Sequence, residues 1–228
     1  MPIITYLIIA ITVLISIQAN NDRMLYSRLV FYPYAINKDR QWYRFFTHAF
    51  IHSSDPSIFV IHLAGNMYTL YLFGARVQIL QGVHGLEGMF IYLFGGVKGR
   101  FFYVLLYAGA IMLSSFPSFE KHKHNPHYAA VGASGAVSAI VFAYILINPT
   151  GGLGLLFLPF YIPAFLFGLL YLLYSWYMAK RGRDNIGHDA HYWGSVFGFV
   201  FTVALKFQLL ALFLEQVRDY IGRFTGHS

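Results

Sequence analysis

Long stretches almost without Asp, Glu, Lys or Arg alternate with short basic and aromatic connectors along this chain. A helix needs about 20 apolar residues to cross a bilayer's hydrocarbon. Six stretches approach that length, residues 2–19, 57–75, 101–116, 132–147, 161–179 and 188–205. The pattern predicts an all-α, polytopic bundle of six transmembrane helices. The first stretch lacks a basic start and a small-residue cleavage site, so it reads as a retained span rather than a signal peptide. Part of 89–97 is available to extend the third span, and the sixth can run on towards Leu214 past Lys206. Asn148-Pro149 stops the fourth and Thr150-Gly151-Gly152 turns the chain. The basic run from Lys180 to Asp184 bounds the fifth. No repeat or linker divides the chain, so residues 1–228 are expected to form one domain.

The first connector, residues 22–55, is unusual. It carries Arg23, Arg28, Lys38, Arg40 and Arg44 among many aromatics, too polar to span and too apolar for an ordinary solvated loop. It is expected to be partly embedded along the interface, with Trp42, Tyr43 and Phe45 at headgroup level.

Composition agrees with a membrane protein. With 57% hydrophobic and 11% charged residues, the chain has too little polar surface to cover a soluble domain of its size. The net charge of +7 sits in the connectors, as membrane-edge anchors rather than a nucleic-acid surface. There is no Cys, which excludes thiol catalysis and disulfides. No cofactor motif is present and no metal is expected. His122, His124 and His127 cluster in the polar loop 117–128, where a solvated loop is the simpler reading. His48 and His52 have helical spacing but lack the Glu of a zinc-protease HExxH motif.

The second, fourth and sixth spans cross in the same direction, so their beginnings lie at one membrane face. His62 and Asn66 lie in the first half of the second span, Ser134 opens the fourth, and His191 begins the sixth. At about 1.5 Å rise per residue these groups sit at similar shallow depth. Polar side chains within spans face partners or a water-filled cavity. Ser134 and His191 are the candidate nucleophile and general base, since a serine hydroxyl needs a neighbouring base to be nucleophilic at neutral pH. Asp189 is two residues from His191 and off its helical face, which favours a dyad over a triad. His188, three residues before His191, is the rival base. His62 and Asn66, four apart, share a face and can stabilise an oxyanion, with the amides that open the fourth helix as further donors. Gly132, Gly135, Gly194 and Gly198 are the small residues that let the fourth and sixth helices approach closely. Each polar group taken singly also fits interhelical hydrogen-bond glue worth about 0.6–2 kcal/mol. Their matched depth and complementary chemistry argue for a common site.

These residues resemble the rhomboid intramembrane serine proteases. His62-Leu-Ala-Gly-Asn66 is similar to the family's HxxxN, Gly132-Ala-Ser134-Gly135 to its GxSG, and the run from Ala190-His191 through Gly194 and Gly198 to its AHxxGxxxG. The likeness extends from about Trp42 to Phe201. It implies a six-helix core, a Ser134–His191 dyad, oxyanion stabilisation by His62 and Asn66, and cleavage of peptide bonds in or near the transmembrane segments of membrane-protein substrates. Departures are Tyr43-Arg44 where the family has Trp-Arg, Gln78 where many members have Glu, and Ser138 where some place an aromatic that stacks on the base. The alternative function is a catalytically inactive, rhomboid-like chaperone that binds client helices. A small transporter would be expected to place ionisable groups at mid-membrane. Bacterial members sit in the cytoplasmic membrane with the dyad facing outwards, the localisation and orientation expected here. The charge bias points the other way, with ten of the sixteen Lys and Arg on the dyad side.

Overall fold

A computed structural model describes residues 1–154, 161–181 and 187–225. All six apolar stretches are helical there, and they pack into one bundle. The first is α1, Ile3–Asn21. Its buried residues are Thr5, Thr12, Ser16 and Ala19, a narrow seam of small side chains, while Leu7, Ile11 and Leu14 are exposed. This inversion suits a bilayer, where lipid solvates large apolar groups and small residues allow helices to approach.

The connector folds as α2 (Arg23–Leu29), α3 (Pro33–Asp39), α4 (Arg44–Thr47) and a 3-10 turn, His48–Phe50. Asp22 caps α2 by accepting from the Met24 and Leu25 amides. Phe31, Ile36 and Phe45 form a separate small core with Phe119. Phe45 is buried, whereas Trp42 and Tyr43 are exposed at the expected surface position. The buried Arg44 donates to the carbonyls of Ser27 and Val30 and to the Gln41 side chain. It thereby ties three parts of the connector together.

The second span is α5, Pro56–Tyr71, extended by a π-helical turn, Leu72–Arg76. Asp55 caps it through the Ser57 amide, and its bonds with Ser57 hold the Asp55 carboxyl below the usual range. A short hairpin follows, β1 (Gln78–Leu80) with β2 (Val83–His84), and then α6, Gly85–Phe94. Gln78 is exposed on that hairpin. The buried carboxylate of the region is Glu87, which accepts from the Ile4 and Thr5 amides and the Thr5 hydroxyl. It satisfies donors that the start of α1 would otherwise leave unpaired.

The third span differs from its sequence boundaries. Gly95, at φ 86°, separates α6 from α7, Gly96–His122, so 89–94 does not extend that span. At the other end α7 continues through Pro117 into the segment expected to be loop. That extension carries Phe119 into the connector's core.

The fourth span, α8, covers Ser134–Ile147 and is buried from Gly135 to Leu146. A second hairpin, β3 (Gly152–Gly154) with β4 (Tyr161–Pro163), precedes α9, Ala164–Arg181, so the fifth helix starts three residues later than its apolar run. The basic residues expected at 182–184 lie outside the described residues. The sixth span, α10, is His188–Leu205 as expected. It does not continue to Leu214, because the chain bends by 115° near Lys206 into α11, Gln208–Thr225. By length and hydropathy, α1, α5 with its π turn, and α7 can each cross a membrane, and α10 with α11 qualifies as a bent pair. The shorter α8 is surrounded by protein. The chain is an integral membrane protein with an all-α, rhomboid-like bundle and a folded first connector.

Candidate active site

Ser134 is the first residue of α8. The first intrahelical bond runs from the Val137 amide to the Ala133 carbonyl, so the amides of Ser134, Gly135 and Ala136 open the helix without acceptors inside it. Just upstream, Gly132 has φ 116°, a backbone conformation that favours glycine. Its amide donates to the His48 carbonyl at 3.0 Å. An antiparallel bridge between Phe31 and Ala130 fastens the same approach segment to the connector.

The α8–α10 contact is made backbone to backbone. A side chain at Gly194 would collide with the Gly135 carbonyl oxygen, and one at Gly198 with that of Ala139. A Cβ on Gly135 would lie 2.8 Å from the Ser114 Cβ on α7 and 3.3 Å from the Ala190 carbonyl oxygen. Ser134 directly precedes Gly135 and His191 directly follows Ala190. The two candidate residues therefore open facing helices, and both are half-buried.

His62, on α5, faces the turn before Ser134, with its Nε2 2.8 Å from the position a Gly132 Cβ would take. The Ser53 amide donates to His62 Nδ1 at 3.4 Å. A nitrogen that accepts carries no hydrogen, so the neutral ring holds its hydrogen on Nε2, the atom directed at Gly132. Asn66 is buried one turn further along α5 and donates from Nδ2 to the His62 carbonyl at 2.9 Å. One of its two amide hydrogens is used in this way.

Asp189 is turned away from this centre. Its carboxylate pairs with Lys121 at the end of α7, 3.2 Å away. His188 is buried, with its ring edge-on to His191 at 5.9 Å between centroids and edge-on to Tyr174 at 5.5 Å. It therefore packs beside His191.

Several residues that support the site were not assigned to it from the sequence. Tyr171 on α9 stacks on the His191 ring, with centroids 6.2 Å apart and planes inclined by 25°. Its hydroxyl is hydrogen-bonded to Ser138 Oγ at 2.9 Å. The position one turn below Ser134 thus carries a hydroxyl instead of a ring, and a neighbouring helix supplies the ring. His48 and His52 are also near the site. His48 Nε2 bonds Ser115 Oγ at 3.1 Å, and Nδ1 lies 3.0 Å from the Arg44 carbonyl. His52 Nδ1 lies 2.9 Å from Ser16 Oγ, and its ring sits edge-on to His62 with centroids 4.9 Å apart. Burial pushes the His48 imidazole down to about 4; burial, with His62 alongside, pushes that of His52 down to about 3. Their helical spacing was the available sequence signal. In the polar loop, His122 lies flat on Tyr128 at 3.7 Å. Among the described residues, no group of three or more His, Cys, Asp or Glu is placed to share a metal ion.

A comparison with known proteins covers the same elements. Residues 39–207 match the rhomboid domain, from the end of α3 to the bend after α10. Over 149 residues the chain is 30% identical to RHOMBOID-like protein 12, mitochondrial, of Arabidopsis thaliana, an alignment covering 65% of this chain and 43% of that protein. The matched part is thus less than half of that relative's length. Because the domain match takes in the connector, the three motif-bearing helices and the helices between them, the chain belongs to the rhomboid family.

Proposed function

We propose that the chain is an intramembrane serine endopeptidase that cleaves peptide bonds in or near the transmembrane segments of other membrane proteins. The observation that carries this reading is the glycine-mediated contact of Gly135 with Gly194 and the Ala190 carbonyl, with Ser134 and His191 on either side. In the mechanism, Ser134 Oγ attacks the substrate carbonyl carbon while His191 takes the hydroxyl proton. The developing oxyanion accepts hydrogen bonds from His62 Nε2–H, the second Asn66 amide hydrogen and the amides that open α8. His191 then protonates the leaving amine as the C–N bond breaks, giving an acyl-enzyme. Water, deprotonated by His191, releases the carboxylic acid and returns the proton to Ser134. A helical substrate must first become extended, because a helix shields its carbonyls.

The lipid bilayer and transmembrane substrates are the partners this reading requires. We assign the chain to a bacterial cytoplasmic membrane with the dyad facing outwards. The mitochondrial term in the relative's name belongs to that protein, and fractionating the native host checks the assignment.

The test is labelling of detergent-solubilised protein with a fluorophosphonate probe, alongside cleavage of a transmembrane substrate containing a Gly-Pro helix break. Wild type should label and cleave, while Ser134→Ala and His191→Ala should lose both activities and remain folded. A folded wild type that neither labels nor cleaves would overturn the reading in favour of an inactive client-binding member.

A further inference from the structure

The glycine seam that brings α8 and α10 together leaves the base without a bracket on that side. Gly194 and Gly198 carry no side chain to limit rotation of the His191 imidazole. An imidazole that must take a proton from one atom and deliver it to another needs a defined ring plane. In this chain the ring that meets His191 face to face is Tyr171, from a third helix.

We infer that Tyr171 is a positioning residue for His191, and that Ser138 holds Tyr171 in place. The inference rests on reading His191 as the general base. Three contacts make the arrangement specific. The Tyr171 hydroxyl is bonded to Ser138 Oγ at 2.9 Å, four residues along α8 from Ser134. Its ring is stacked with Phe167, one turn earlier on α9, at 5.8 Å and 24°. Phe142 of α8, one turn beyond Ser138, meets it at 5.9 Å. The ring is thus held by its hydroxyl and its apolar edges, leaving a face for the imidazole.

The consequence is a link that runs from the nucleophile's helix through Ser138 and Tyr171 to the base. Stacking fixes the imidazole plane, and the electron-rich face of the ring favours the imidazolium that forms as Ser134 loses its proton. Ser138 has a distinct job in this account. A hydroxyl is short enough to let Tyr171 reach over it, and it supplies the polar partner that a buried phenol requires.

The discriminating variants separate the ring from the hydroxyl. Tyr171→Leu removes both, Tyr171→Phe keeps the stack, and Ser138→Ala removes only the partner of the hydroxyl. The rate constant for fluorophosphonate labelling should fall about 10-fold or more in Tyr171→Leu, the scale of one lost aromatic contact at a catalytic group. It should fall only a few-fold, about 2–5, in Tyr171→Phe and in Ser138→Ala. Combining those two changes should reduce the rate no further than one alone, because both delete the same bond. With a cleavable substrate the loss should appear in kcat while KM stays within about twofold, because no bound substrate group is touched.

A spectroscopic readout keeps the test independent of activity. In protein labelled on histidine, the His191 ring protons should show an upfield ring-current displacement that Tyr171→Phe retains and Tyr171→Leu loses. Labelling of Tyr171→Leu at the wild-type rate, or additive losses in the Tyr171→Phe/Ser138→Ala pair, would overturn the inference. If wild type itself fails to label, the protease reading falls, and the ring-current comparison still decides whether Tyr171 fixes His191.

Discussion

Helices α8 and α9 both border the candidate site, yet they are built in opposite ways. Every residue of α8 from Gly135 to Leu146 is buried, and the helix has only 14 residues because protein surrounds it. On α9 only Ala164, Gly168 and Ser175 are buried, while Leu169, Leu170, Leu173, Tyr174, Trp176 and Tyr177 are exposed. The nucleophile candidate therefore rides on the most enclosed helix of the bundle. The ring that meets the base rides on one of the least enclosed. In a membrane, where lipid already solvates apolar groups, close packing is what holds a helix in place. The site thus joins a rigidly held group to a group on a thinly anchored wall.

The largest effect expected from breaking this contrast is at the α8–α10 seam. Gly198→Leu would force a side chain into the Ala139 carbonyl and drive the two helices apart. Loss of the folded protein from detergent extracts, measured by size-exclusion chromatography, is the expected outcome. Next comes truncation within the two helices. Ile140→Ala on α8 should destabilise by about 2–5 kcal/mol, nearer the lower figure because the loss is one of packing. Leu170→Ala on α9, 52% exposed, should stay within about 0.5 kcal/mol. Equal shifts in a steric-trapping or denaturation assay would remove the contrast.

A third measurement addresses chemistry alone. Asn66→Ala should reduce kcat for cleavage by about 100- to 1,000-fold, or about 2.7–4 kcal/mol, the usual loss for one oxyanion donor, with little change in thermal stability. A loss of stability with unchanged kcat would recast Asn66 as helix glue.

The smallest and most graded effect concerns the connector. His48 and His52 are held at about 4 and 3 when folded, against an ordinary value of 6.5. Between those values and 6.5 the unfolded chain binds more protons than the native one, so stability rises with pH through that window. It is fully present above about 6.5 and is lost as pH falls towards 4. Melting temperatures from pH 7.5 to 4.5 should decline, with a shallower slope in His52→Gln.

The sequence revealed some of these features more readily than others. The spans were legible because a run from Gly132 to Ile147 without a charge can hardly be anything but a buried or membrane helix. The positions of His62, Asn66, Ser134 and His191 at one depth followed from direction and rise alone. Helix ends were harder. Pro117 looked like a terminator, but a helix continues through it because Phe119 is buried against Phe31 and Phe45, a tertiary contact with no local signature. The bend near Lys206 depends on how the apolar side of α11 meets the bundle, where Phe213 packs on Phe199 and Tyr220 on Phe165. Tyr171 was the least visible, one of 18 tyrosines in a chain where aromatics are everywhere. Only the three-dimensional meeting of Ser138 and His191 singles it out.

The 115° bend after α10 has a practical use. Helix α10 starts at the level of Ser134 and rises about 27 Å over its 18 residues, nearly the thickness of the hydrocarbon. Whatever follows Leu205 emerges across the bilayer from the dyad, and α11 then turns aside without crossing back. A reporter enzyme joined beyond α11 therefore announces the compartment that the dyad does not face. One colony assay with a periplasm-dependent phosphatase would decide between the orientation favoured by the basic connectors and the one expected of bacterial relatives.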